Sequence, residues 1–214
     1  MFFTQWLIAA VFLTAAVTAS AQAPSRVSST DKVVVDYFRF DQKGHEIYVA
    51  STTPRTLTIE ISADGRTINY NNGYVEKFDK DLVLIESSNK GVVRKIDDKF
   101  LQRWMPANRD SRESHNFSEK FNNPNCGGDV TVEWKGTPKD GKFKLMHSGK
   151  EIEVDVVEYE FAGRWTSVSC GIGRNTLKLV YAPTLDVVVE RDFKNFRPDG
   201  LLNVGNANKM KSVN

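Results

Sequence analysis

The chain has 214 residues, with 29 Lys plus Arg against 27 Asp plus Glu and a formal net charge of +2. Opposite charges alternate along it, so it lacks the basic stripe of a nucleic-acid binder. After the N-terminus no apolar run approaches the length of a membrane helix. That length suits one large β domain or two small ones.

Met1 to Ala16 contains no charged side chain. Its apolar run is about a dozen residues, the length of a signal-peptide core and short for a membrane span. Ala19-Ser20-Ala21 has the small-x-small form that signal peptidase requires, so residues 1–21 are expected to be removed. Ala21-Gln22-Ala23 is a second choice, disfavoured because Pro24 would follow the cut. No Lys or Arg precedes the apolar run, which leaves an uncleaved anchor as the rival reading. No Cys lies near the site, so no lipid anchor is expected. A periplasmic or secreted location follows, with no integral membrane span after cleavage.

Residues 22–30 are Ser-rich and read as a flexible leader. Val33 to Phe40 is dense in β-branched and aromatic residues and predicts a strand, followed by His45 to Ala50 after a Gly44 turn. Leu57, Ile59 and Ile61 alternate with Thr58 and Glu60. Asp64-Gly65 then offers the positive φ angles of a tight hairpin turn, and Thr67 to Tyr70 returns. Leu82-Val83-Leu84-Ile85, apolar throughout, predicts a central strand. Ser88 to Gly91 turns it into Val92 to Ile96. Asp97 to Trp104 breaks the pattern and predicts one short helix, with Phe100, Leu101 and Trp104 on its apolar edge.

Residues 106–125 are polar and read as a loop or a linker between a first β unit, 31–105, and a second, 126–198. In the second unit Val130, Val132 and Trp134 share one strand face, and Phe143 and Leu145 share a face on the next strand. After Ser148-Gly149, Lys150 to Phe161 alternates. Ile152, Val154 and Val156 are apolar at even positions; Val157, Tyr159 and Phe161 are apolar at odd ones. A β-bulge or sharp bend between Val156 and Val157 would keep both sets inside. Leu177 to Tyr181 and Leu185 to Val189 complete the sheet, and 199–214 reads as a flexible tail. Strands and turns at this spacing predict an antiparallel all-β fold, a sandwich or partly open barrel.

Chemistry is sparse. Hydrolase, zinc-protease, phosphate-loop, dinucleotide and calcium-loop patterns are missing, so no catalytic residues, no metal and no cofactor are assigned. Cys126 and Cys170 are the two cysteines and are expected to pair. The chain-entropy model gives about 4 kcal/mol, as an upper figure, for a loop of about 45 residues. His45, His115 and His147 each stand alone. Glu151, Glu153 and Asp155 could hold Ca²⁺ or form a solvated strand face; neighbours on one face lie nearly 7 Å apart, too wide for one ion. Gly171-Ile172-Gly173 reads as a turn beside the disulfide rather than half of a phosphate loop. Asn116-Phe117-Ser118 is a glycosylation sequon. Trp104, Trp134 and Trp165 are the candidates for ligand binding, since aromatic platforms hold sugars and apolar ligands.

The order Ser148-Gly149-Lys150-Glu151-Ile152-Glu153-Val154, Glu160-Phe161-Ala162-Gly163-Arg164-Trp165, Val180-Tyr181-Ala182-Pro183 and Val187-Val188-Val189-Glu190-Arg191 resembles uncharacterised bacterial periplasmic and lipoprotein β-modules. These carry a G-x-E-x-V-x-V-P-A-G-x-F hairpin and then a W-Y-A-P-x-x-G-x-V strand pair. The likeness covers residues 130–196. Val156-Val157-Glu158 stands in place of Pro-Ala-Gly, Val180 in place of Trp, and Asp186 in place of the second Gly. The resemblance implies a bacterial envelope setting and a β-module, and no activity.

The function expected is a non-enzymatic, exported binding or structural β-protein that recognises another protein or a surface polymer. The alternatives are a carrier cupping a lipid or other apolar ligand, and a cell-wall or polysaccharide hydrolase built on facing carboxylates.

Overall fold

The computed structural model describes residues 26–28, 30–49, 54–95, 111–123 and 126–214. The fold is all-β and almost wholly antiparallel. No helix among the described residues is long and apolar enough to cross a membrane. The short helix expected at 97–104 lies outside the described residues, as does the leader 1–21.

Strand β1 (Val33–Phe40) pairs on one side with β13 (Leu202–Val213) and on the other with β2 (Glu46–Tyr48) and β3 (Arg55–Ser62). From β3 the sheet continues as a meander, β4 (Gly65–Tyr70), β5 (Tyr74–Asp79), β6 (Leu84–Asn89) and β7 (Val92–Lys95). From β13 it continues through β12 (Val187–Phe196), β11 (Gly171–Ala182), β10 (Lys150–Ser167) and β9 (Gly128–His147) to β8 (His115–Asn123). Strands of both halves therefore belong to one sheet. β12 leaves β13 after Glu190 and Lys209, and the end of β9 takes its place, with Met146 beside Ser212 and His147 beside Val213. Five antiparallel strands, β9 to β13, meet their own first member in parallel at this seam, which closes the sheet at one end and leaves it open at the other.

The long β9–β10 hairpin organises the interior. Its register runs unbroken from Lys150 opposite His147 to Ser167 opposite Val130. No register shift of the kind the expected bulge would make occurs at Val156/Val157, yet Val154, Val156, Val157, Tyr159 and Phe161 are all buried and Ile152 partly so. Side chains of a regular strand alternate between faces, so the two sets occupy opposite faces. Val154 and Val156 join one cluster with Val180, Val187, Val189, Leu57, Ile59 and Met210. Val157, Tyr159, Phe161 and Trp165 join another with Val132, Trp134, Leu177 and Leu179. The buried side of the sheet changes a little over a third of the way along β10, between Val156 and Val157, and the carboxylates change with it. Glu151, Glu153 and Asp155 are exposed on the face that later carries Tyr159, while Glu160 is exposed on the face that earlier carries Val154.

Several expectations need correction. The loop 106–125 contains β8: residues 115–123 pair along β9, and Phe117 packs on Trp134 with ring centroids 6.2 Å apart. The two strands expected at 130–134 and 143–145 are one. Gly136 and Pro138 look like a turn, but they sit opposite Phe161 and Tyr159 in the ladder. The tail 199–214 contains β13, held on both sides by backbone pairing, which requires no apolar side chains. Val27, in the supposed leader, is buried, and its N–H donates to the Leu185 carbonyl at 3.1 Å. Leu82 to Ile85 is not a central strand: Leu82 turns with φ 62°, Val83 plugs the core, and Ile85 is exposed near the sheet edge. The β3–β4 hairpin forms as expected, but Ala63 and Asp64 make its turn between the paired Ser62 and Gly65.

Three aromatic rings lie over glycines of the neighbouring strand: Phe161 over Gly136, Trp134 over Gly163 and Trp165 over Gly173. A Cβ on Gly163 would fall 2.7 Å from Cε3 of Trp134. Gly163→Ala is expected to lower unfolding stability by about 1–3 kcal/mol through this overpacking. Urea unfolding followed by Trp fluorescence checks it, and an unchanged midpoint would refute the close-approach role.

Candidate functional site

The aromatic candidates are structural where they can be seen. Trp134 and Trp165 are buried in the second cluster, and the Trp165 indole N–H donates to the Phe196 carbonyl at 3.2 Å. Neither forms a platform that a polymer could touch. Trp104 lies outside the described residues. Cys126 and Cys170 form the expected disulfide, with Cα atoms 5.1 Å apart. It ties the chain entering β9 to the chain entering β11. Gly171-Ile172-Gly173 opens β11 as a strand, and Asn116 is exposed on β8.

The histidines are dispersed. His45 sits in an exposed turn with Nδ1 2.9 Å from Asp41 Oδ2. His115 lies beside Phe117 and Phe161, and His147 ends β9 at the closing turn. The acidic ladder on β10 faces a basic one on β9: Lys142 meets Asp155, and Lys144 approaches Glu151 at 3.8 Å. Among the described residues no group of acidic, His or Cys side chains is placed to hold a metal ion.

Two openings stand out. The first is a cavity of about 120 Å³ between the β3–β6 meander and the β11–β12 hairpin. Its walls are Leu57, Ile59, Ile68, Phe78, Leu179, Val187, Val189 and Met210, with Arg66, Tyr70, Glu76, Arg191 and Asn208 as its polar members. The Glu76 side chain is only 6% exposed. Its Oε2 accepts from the Tyr70 hydroxyl at 3.0 Å; its Oε1 accepts from the Tyr74 hydroxyl at 3.3 Å and from Arg191 Nη1 at 3.4 Å. At the hairpin end, Arg66 donates to the Asp186 carbonyl and, at 3.2 Å, to Asp186 Oδ2, while the Tyr181 hydroxyl donates to Asp186 Oδ1 at 2.6 Å. Two arginine–carboxylate bridges thus join the meander to the hairpin. Removing one partner of such a buried pair destabilises strongly, because the other is left uncompensated.

The second opening is a groove of about 880 Å³ bounded by β1, the start of β3, the end of β13 and the β9–β10 turn. Tyr37, Arg39, Tyr48, Arg55, Asn71 and Asn72 line it, together with Asp36 and Lys211. Arg55 stacks over the Tyr37 ring at 3.9 Å and donates to Asn208 Oδ1 at 3.4 Å. Tyr48 packs against Phe38 with centroids 5.5 Å apart and is half exposed.

A glycosidase-type dyad needs two carboxyl groups about 5–10 Å apart across a cleft. Among the described residues, the cavity and the groove are each lined by one acidic side chain, Glu76 and Asp36. Glu160 and Asp192 share a shallower opening beside Lys178, but each is held by a lysine, Lys139 at 2.6 Å and Lys194 at 3.0 Å.

None of the cavity's charged residues was singled out from the sequence, although a signal was present. Glu76 stands in strand phase with Tyr74 and Phe78, Arg66 with Ile68 and Tyr70, and Arg191 with Val189 and Phe193. A charge at an inward position of an alternating strand marks a buried polar site. Comparison with protein-family models, with curated proteins and with solved structures finds no match to this chain.

Burial raises the Tyr70 phenol far above its ordinary range, and the adjacent Glu76 carboxylate raises it further. The Tyr74 phenol is raised for the same two reasons. A raised phenol contributes stability that is complete below its unfolded value, near pH 10, and is lost as the pH climbs above that value, because only the unfolded chain then releases the proton. Unfolding stability is expected to fall steeply above about pH 10, and Tyr70→Phe to flatten the slope. Urea midpoints between pH 8 and pH 11.5 check this; identical slopes would refute it.

Proposed function

We propose that the protein is an exported, non-enzymatic binding protein of the cell envelope, and that it takes its partner, an anionic polymer or peptide segment, in the groove over β1. The observation that carries this reading is the groove itself. Its volume of about 880 Å³ falls within the roughly 300–1,000 Å³ usual for ligand sites. Tyr and Arg, the residues enriched at recognition surfaces, line it. Arg39, Arg55 and Lys211 outnumber Asp36 along it, which favours a negatively charged partner.

Export is supported by the uncharged apolar leader, by Ala19-Ser20-Ala21 and by the disulfide, since such bonds persist in oxidising compartments. The lipid-carrier alternative draws less support, because the cavity of about 120 Å³ is small for an acyl chain.

N-terminal sequencing of the protein from a secreting host is expected to begin at Gln22; an intact Met1 would sink the cleavage reading. For the groove, the chain from Gln22 is titrated with acidic oligosaccharides and acidic peptides by calorimetry. One class is expected to bind, and Arg39→Ala with Tyr48→Ala to weaken it by about tenfold or more. Equal affinity of the variants, or turnover of a broad hydrolase substrate panel, would overturn the proposal.

A further inference from the structure

We propose that the cavity between the meander and the β11–β12 hairpin is a binding site for a small, mostly apolar molecule of about benzene size that carries one hydrogen-bond donor, phenol being the simplest example. This site is separate from the groove and does not depend on it.

Three observations lead there. The first is size. The cavity is about 120 Å³, close to the roughly 150 Å³ of an engineered apolar cavity that takes up benzene. The second is its wall, where Leu57, Ile59, Ile68, Leu179, Val187 and Val189 offer an apolar body the same surroundings as a core. The third is Glu76. An ionised carboxyl group has about four lone-pair positions, and Tyr70, Tyr74 and Arg191 occupy three of those on Glu76. One acceptor position remains on a side chain that is buried, lines the cavity and is already held in place by its other partners. A ligand hydroxyl or N–H fits that position, whereas an anionic group would meet the carboxylate.

The test uses the chain from Gln22 with ¹³C-labelled methyl groups, titrated separately with phenol and with benzene. Both are expected to shift the methyl resonances of Leu57, Ile59, Ile68 and Val187, with phenol binding about tenfold more tightly, the worth of one hydrogen bond to a charged group. Glu76→Gln is expected to bring phenol within about threefold of benzene. Val189→Phe, which fills the cavity, is expected to abolish both shifts while thermal unfolding stays cooperative. Should Val189→Phe fail to fold, the methyl map and Glu76→Gln decide the matter. The proposal is overturned if neither ligand moves those methyls, if Glu76→Gln leaves the phenol preference intact, or if a crystal soaked in phenol shows only ordered water in the cavity.

Discussion

The unbroken pairing of β9 with β10 is the constraint on which the rest of the molecule rests. Eighteen consecutive residue pairs without a slip fix the direction of every side chain along the hairpin. Because the apolar residues of β10 change parity at Val156 and Val157, a continuous ladder gives the protein no single inside. One face must be covered over the first third of the strand and the other over the remainder. The first cluster takes in Leu57 and Ile59 of the meander with Met210 and Val213 of β13; the second is filled from β9 and β11, with Phe117 of β8 and the disulfide packed against it. Had a bulge absorbed the parity change, one cluster would have sufficed and the charged half-faces would have pointed the same way.

Glycine and aromatic residues make that ladder possible over such a length. A long two-stranded ribbon twists strongly, and bulky side chains on both strands of one face would collide where the ribbon curls. Gly136, Gly163 and Gly173 each yield their side-chain space to the ring opposite. Those rings fill the second cluster while their indole and phenyl edges shield the backbone beneath. The disulfide fastens the same end, so the aromatic cluster and the covalent link support one region of the fold.

Local turn chemistry was legible in the sequence because it depends on a few residues. Lys90-Gly91 and Ser148-Gly149 adopt paired positive φ angles, 49° with 84° and 48° with 78°, as a tight hairpin demands. The parity change in β10 was equally plain, and only its resolution was misjudged, since sequence does not say whether a sheet is covered on one face or two. What remained hidden shares a cause. β8, the middle of β9 and β13 are held by backbone pairing with neighbouring strands, the partner of β13 being β1 at the other end of the chain, so their polar residues, Gly136, Pro138 and sparse apolar content carry no local strand signal. Glu76, Arg66 and Arg191 became visible as a group only when the meander was seen to lie on the hairpin. Trp134 and Trp165, conspicuous in the sequence, are packed into the second cluster.

The meander is attached to the rest of the sheet by a short ladder. β3 meets β1 over just three residue pairs, Val33 with Leu57, Val34 with Thr56 and Val35 with Arg55, and no disulfide reaches it. Its other contacts include the two arginine–carboxylate bridges, Arg55 against Tyr37 and Asn208, and the apolar surface around the cavity. Segments with short ladders and few cross-links have the lowest opening free energies in a native protein. The meander is thus joined to the rest of the sheet by a short ladder and held down by two ion pairs and an apolar face. The charges at positions 66, 76, 186 and 191 therefore bear on how firmly the meander lies on the hairpin, and added salt weakens that hold.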